Sequence, residues 1–191
     1  AFLGKLGTMA EKAVRLKELG KFIASELKYD VSDTINRAAE LCKADLLTGM
    51  VGEFPDLQGI MGYEYYKDTD LKIATAIKEH YQPRFAGDAL PQTPAGICLS
   101  LAEKLDTLVA AFSLGLKPTG SNDPYGLRRQ ALAIIKIIID KKLNISIDKL
   151  WEETIKLLVT SLRSYASEIA KSPYPGVKEF WSNVANAGAP S

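Results

Sequence analysis

Side chains able to do chemistry are few in this chain and widely spaced. The only histidine, His80, stands in EHYQP on the apolar face of a helical repeat. The two cysteines, Cys42 and Cys98, lack CxxC spacing, which argues against a cysteine zinc site and fits a reducing compartment. Asp45, Glu53, Asp88 and Asp106 are acids of the type used in general acid–base catalysis. No second histidine and no nucleophile paired with a base accompanies them. Helix capping, or pairing with Lys43, Arg84 or Lys104, suits them better. One histidine without partners forms no serine triad, and neither GxxxxGK[ST] nor GxGxxG occurs.

Cations near turns offer a second chemistry. In PTGSNDPYGLRR, Asp123 is placed to cap a helix starting at Pro124, with Arg128 and Arg129 in its first two turns. Cations there oppose the helix dipole by about 0.3–1 kcal/mol each. An anion docking at this end would justify them, either a phosphate backbone or carboxylates from elsewhere in the protein. Lys43, Arg84, Lys104 and Lys117 also lie near turns. Tyr63, Tyr65 and Tyr66 suit either stacking on unpaired bases or ordinary packing. Lys141 and Lys142 compensate a helix C-terminus.

The elements that must position these groups are helical, and no alternating strand pattern is present. A first helix is expected from about Lys5 to Lys28, with Leu6, Met9, Ala13, Leu16, Ile23 and Leu27 inward. A second is expected from Ser32 to Gly49, with Ile35, Ala39, Cys42 and Leu46 as its stripe. GEFPD, 52–56, reads as a turn. A short helix from Asp56 precedes another from Asp70 to about Tyr81, with Ile73, Ala76, Ile77 and His80 on one face. The proline-rich segment 82–94 is a structured loop. Thr93 and Pro94 then start a helix burying Ile97, Leu101, Leu105, Leu108 and Phe112 and stopping by Gly115. The helix from Pro124 buries Leu127, Ala131, Ile134, Ile135 and Ile138. The last, about 147–171, buries Leu150, Leu157, Leu158, Leu162 and Tyr165, and the tail 172–191 reads as irregular.

Two resemblances give this pattern a meaning. AIKEHYQPRFAGDALP and RAAELCKADLL are similar to segments of HD-domain metal-dependent phosphohydrolases, in which histidines and aspartates hold a divalent metal. Aligned on those segments, the His-Asp doublet falls on Cys42 and Lys43, the histidine on His80 and the final aspartate on Glu103. A lysine cannot replace a carboxylate ligand, so the resemblance implies an HD fold without its metal site. The segments AELCKADLLTGMVGEFPDLQGIMG, AIKEHYQPRFAGD, LAEKLDTL and PTGSNDPYGLRRQAL together resemble the β subunit of bacterial two-subunit (α2β2) glycyl-tRNA synthetase, in order over roughly residues 5–140. The likeness is expected to fade beyond about Arg163.

The expected fold is all-α: an HD-domain-like bundle of about six to eight helices continuing into a second helical segment. The division would be 1–118 as the degenerate HD-like domain, 119–171 as a helical extension packed on it or leading to the anticodon-binding region, and 172–191 as an irregular tail. With no initiator Met and an abrupt apolar start, the chain reads as part of a longer protein. The resemblance implies glycine–tRNA ligation, with adenylate chemistry, ATP and magnesium belonging to the α subunit and no catalytic residue, metal or cofactor here. Its implied partners are tRNA(Gly), the α subunit and the remaining β-subunit domains. Lys43, Arg84, Lys117, Arg128 and Arg129 would face RNA. A net charge of +1 requires any RNA surface to come from local clustering. No apolar run is long enough for a bilayer, and a cytoplasmic location is expected. The competing readings are an HD-type metal-dependent phosphohydrolase and a scaffold whose arginines dock another domain.

Overall fold

Hydroxyl and carboxylate side chains set most of the helix starts. Thr8 accepts from the Glu11 amide at 3.2 Å, while the Glu11 carboxylate takes the Thr8 amide at 2.6 Å. This reciprocal capping box starts the first helix at Met9, four residues after the position expected from periodicity. Asp70 and Thr93 cap their helices in the expected way, Thr93 with Pro94 at the first helical position. The computed structural model describes residues 6–169. Within them the helices are α1 (Met9–Leu27), α2 (Ser32–Leu41), α3 (Gly49–Glu53), α4 (Ile60–Tyr66), α5 (Leu71–Glu79), α6 (Pro94–Ser113), α7 (Leu127–Asp140) and α8 (Ile147–Ile169). No β-strand occurs among the described residues, so the fold is all-α. No helix among them is long and apolar enough to cross a membrane.

α6 is the centre. Its sequence is apolar on nearly all sides, and α1, α2, α5, α7 and α8 pack around it. One core runs through Leu16, Ile23, Ile35, Ala39, Ile77, Leu101, Leu105, Ile137 and Leu150. Each fully buried Leu or Ile contributes about 1.5–3 kcal/mol relative to exposure. α7 and α8 therefore share the core of α1 to α6. Gly96 permits the close crossing of α5 and α6, because a Cβ there would lie within 2.0 Å of the Glu79 carboxylate. That carboxylate accepts from the Gln92 and Thr93 amides at 2.9 and 3.0 Å, fixing the loop into α6.

Several expected boundaries move for local reasons. The second helix ends at Leu41, and Ala44–Leu47 forms a 3-10 turn, so Leu46 is only half-buried. GEFPD is not a plain turn: Thr48 caps α3, which takes in Gly52 and Glu53, and Pro55–Leu57 makes a second 3-10 turn. α7 starts at Leu127, not Pro124, because Asp123 caps across a turn that ends at Gly126, whose φ is +61°. The inward face of α1 is Lys12, Arg15, Leu16, Leu19, Gly20 and Ile23, rotated from the expected stripe by two buried cations. Phe112 and Ile135, expected inside, are 40% and 47% exposed. Side chains from 165 onward, Tyr165 included, and the 172–191 tail lie outside the described ones.

Candidate functional site

The positions aligned with a metal centre do meet in space, but around an ammonium group. Lys43, at the end of α2, places Nζ 3.0 Å from Glu103 Oε2 on α6 and 2.9 Å from His80 Nε2 at the end of α5. The same Nζ lies 4.1 Å from the Tyr81 ring centre. Because the ammonium only donates, Nε2 must accept, and the proton sits on Nδ1, which donates to the Ile77 carbonyl. His80 is fully buried, and burial followed by the Lys43 charge pushes its pKa well below the usual value, so it stays neutral.

A second layer of buried charge continues along α6. Lys12 on α1 bridges Glu103 Oε1 at 3.2 Å and Asp106 Oδ2 at 3.0 Å. Arg15 grips the same Asp106 with Nε at 2.6 Å and Nη2 at 3.1 Å, and reaches Ser161 on α8 at 3.1 Å. Burial alone would raise the Glu103 carboxyl, but Lys12 and Lys43 outweigh it and hold it well below the carboxylate range. Asp106 is lowered in the same way by Lys12 and Arg15. Lys104 differs. Its ammonium meets the Gln82 carbonyl at 2.7 Å and the Ser100 hydroxyl at 3.0 Å, with no ion pair. Burial brings it down to about 7 even though Glu103 pulls the other way.

This arrangement does not fit a divalent metal. The donors that would hold one are His80 and Glu103, and a cation already contacts both. Cys42 adds no ligand: burial pushes its thiol up to about 12 and its Sγ donates to the Ala39 carbonyl. Among the described residues no group of three or more His, Cys, Asp and Glu side chains forms a metal-holding set.

Three of the four acids weighed for catalysis have structural work. Asp45 is buried and accepts from the Gly59 and Gly62 amides at 2.6 and 3.3 Å. Asp88 pairs with Arg84 at 3.0 Å. Asp106 holds Lys12 and Arg15, neither of which was a candidate partner. Glu53 is exposed.

The cations considered for RNA separate into different settings. Lys43 is buried in the centre just described. Arg84 is part-exposed and engaged by Asp88 within its loop. Asp123 already occupies the first α7 amides, accepting from Leu127 and Arg128 at 2.7 and 3.0 Å. Arg128 turns toward residues 119–122, donating to the Gly120 carbonyl at 2.7 Å. The Arg129 guanidinium folds back against Gly126, where it helps lower the Asp123 carboxyl, and with Lys136 two turns along α7 it borders the loop 83–87. Lys117, Arg129 and Lys136 are exposed and make no ion pair or hydrogen bond among the described residues. Lys136 was missed because it interrupts the run IIKIII, and Phe85 because it stands alone in its loop.

Comparison with known proteins gives a consistent result. The family described as "Glycyl-tRNA synthetase beta subunit" matches residues 1–183, beyond Arg163, where the likeness was expected to fade. A glycine–tRNA ligase beta subunit of Syntrophomonas wolfei is 51% identical over 154 residues, covering 80% of this chain and 22% of the relative. That of Clostridioides difficile is 52% identical over 159 residues, covering 81% and 23%. That of Citrifermentans bemidjiense is 47% identical over 172 residues, covering 89% and 25%. The chain thus spans about a fifth to a quarter of the length of these curated relatives.

Proposed function

The chain belongs to the glycyl-tRNA synthetase β-subunit family, and from that premise we propose that it is a non-catalytic segment that binds tRNA(Gly) and organises the β subunit. Residues 1–118 form a degenerate HD-like domain in this reading, and 119–171 form a helical extension packed on it. Aminoacylation chemistry, with ATP and magnesium, resides in the α subunit, and the assembly works in the cytoplasm. The observation that carries the proposal is the contrast in charge. Glu103 and Asp106, the carboxylates of the buried centre, are held by Lys12, Arg15 and Lys43, while Lys117, Arg129 and Lys136 are exposed and make no direct ion pair among the described residues, Asp123 acting on Arg129 only at longer range. The first set stabilises a scaffold; the second is available to phosphate. The phosphohydrolase reading loses support because Lys43 takes the place of a metal ion.

The role in organising the subunit has its own support. Phe112, Ile135 and Ile147 are 40%, 47% and 48% exposed, and with Pro118, Trp151 and Ala131 they line an apolar groove of about 330 Å³. Since the relatives are four to five times longer than the matched segment, the occupant we assign is another part of the β subunit. The test of RNA binding is titration with tRNA(Gly) and a non-cognate tRNA across a salt series. Tight, salt-dependent binding that weakens in Arg128→Ala/Arg129→Ala, with a shallower slope, is expected. An unchanged slope with lower thermal stability would favour arginines that dock protein instead.

A further inference from the structure

We infer that the groove between loop 83–87 and α7 is a subsite for an unpaired stretch of RNA, with one base stacked on Phe85 and neighbouring phosphates on Arg129 and Lys136. This rests on the tRNA-binding reading and goes beyond it by naming the place and the strandedness. The groove is about 480 Å³ and is bounded by Pro83, Phe85, Gly87, Arg129, Leu132 and Lys136. Its volume is within the range of small-ligand clefts.

Three observations point to a single strand. Phe85 is 55% exposed, an aromatic ring displayed to solvent on a surface loop. Exposed aromatic rings beside cations are how single strands are held, since every base has a face to stack and a duplex hides those faces. The loop is also fixed before any ligand arrives. Asp88 Oδ2 accepts from the Arg84 amide at 2.8 Å and from Arg84 Nε at 3.0 Å, and its Oδ1 accepts from the Ala89 amide at 3.0 Å. The Arg84 guanidinium lies 5.6 Å from the Phe85 ring centre, so Arg84 shapes the platform rather than supplying free charge. Finally, Arg129 and Lys136, which make no direct ion pair among the described residues, line the same groove, Arg129 with its guanidinium against Gly126 and in electrostatic reach of Asp123. Seven residues of helix set the backbones of Arg129 and Lys136 about 10 Å apart along the axis, the length scale of a few stacked nucleotides at about 3.4 Å each. An acidic peptide would satisfy these charges but offers no planar face to Phe85.

The experiment titrates the chain with a labelled single-stranded RNA, a duplex RNA of the same composition, tRNA(Gly) and a polyglutamate peptide. Single-stranded RNA is expected to bind at least ten times more tightly than the duplex. Phe85→Ala is expected to lower that affinity about tenfold while leaving the salt slope unchanged. Arg129→Ala/Lys136→Ala is expected to reduce the slope by about two. Phe85→Leu, which keeps an apolar side chain without the aromatic face, should behave like Phe85→Ala; wild-type affinity in Phe85→Leu would overturn the stacking. Equal binding of single strand and duplex, or preferred binding of polyglutamate, would overturn the inference. If tRNA binds wild type and variants alike, the groove is overturned while RNA binding elsewhere on the chain survives. If no RNA binds at any salt, both readings fail.

Discussion

Two charged regions of this molecule, built from the same residue types, have opposite fates. In the interior, Lys12, Arg15 and Lys43 surround Glu103 and Asp106, and every one of these cations touches a carboxylate. At the surface, Arg129 and Lys136 line a groove and make no direct ion pair among the described residues. Removing a charge from water is costly unless a partner replaces the lost hydration, so buried charges persist in matched sets or, as at Lys104, are pushed toward the neutral form. Exposed cations keep their hydration and need no partner to be tolerated. Matched interior charge therefore marks structure, and unmatched surface charge marks a surface free to meet an anion.

The comparison breaks most visibly if the interior set is unbalanced. Asp106→Ala leaves Lys12 and Arg15 facing each other in the core and is expected to cost about 3–5 kcal/mol in denaturant unfolding. A cost below 1 kcal/mol would show that water reaches these groups. Lys104 gives the next largest effect. Its pKa falls from 10.5 unfolded to about 7 folded, so burying it is unfavourable while it is protonated in the unfolded chain. Between about pH 7 and 10.5 the unfolded state binds more protons, and stability should rise with pH, by an amount on the order of a few kcal/mol. Lys104→Met should flatten that rise in unfolding curves taken across the window; an unchanged rise would assign it to other groups.

Lys43→Met is smaller, about 1–3 kcal/mol, because Glu103 keeps Lys12 while His80 Nε2 loses its donor. The Lys43→Met/Glu103→Gln double variant should cost less than the two single changes added together, and strict additivity would deny the pair any coupling. The low Glu103 and Asp106 pKa values set the acid limb. Their contribution is complete above the ordinary carboxylate range and is lost as pH falls below it, so acid titration monitored by circular dichroism should show loss of structure below about pH 4. Smallest on stability is Arg129→Ala/Lys136→Ala, expected within about 0.5 kcal/mol of wild type.

Much of the fold could be read in advance because helical periodicity and capping residues are local signals. Thr93, Pro94 and Asp70 marked their helices to the residue. Most of the apolar stripes of α2 and α6 was legible for the same reason, short of Leu46 and Phe112. What periodicity could not show was a polar group buried against a partner about ninety residues away. Lys12 and Arg15 look like solvated positions until Asp106 is placed beside them, and their burial is what rotates α1. The start of α7 was missed because an Asp-Pro pair signals a helix, while the left-handed Gly126 that actually admits it depends on the turn as a whole. At the candidate site, it was the resemblance to HD-domain segments, not periodicity or spacing, that grouped Cys42, Lys43, His80 and Glu103. It could not reveal that the lysine ammonium sits between histidine and glutamate. Arg128 and Arg129 were legible as a pair, but not that one would donate to the Gly120 carbonyl while the other folds back against Gly126.

The most direct test compares stability and RNA binding in the same Arg129→Ala/Lys136→Ala protein. Thermal unfolding and the salt dependence of tRNA(Gly) affinity would be measured beside wild type. Unchanged unfolding with a salt slope reduced by about two is the predicted result, since surface cations that touch phosphate release counterions without supporting the fold. A lowered melting temperature with an unchanged slope would contradict it and place these two cations with the structural charges of the interior.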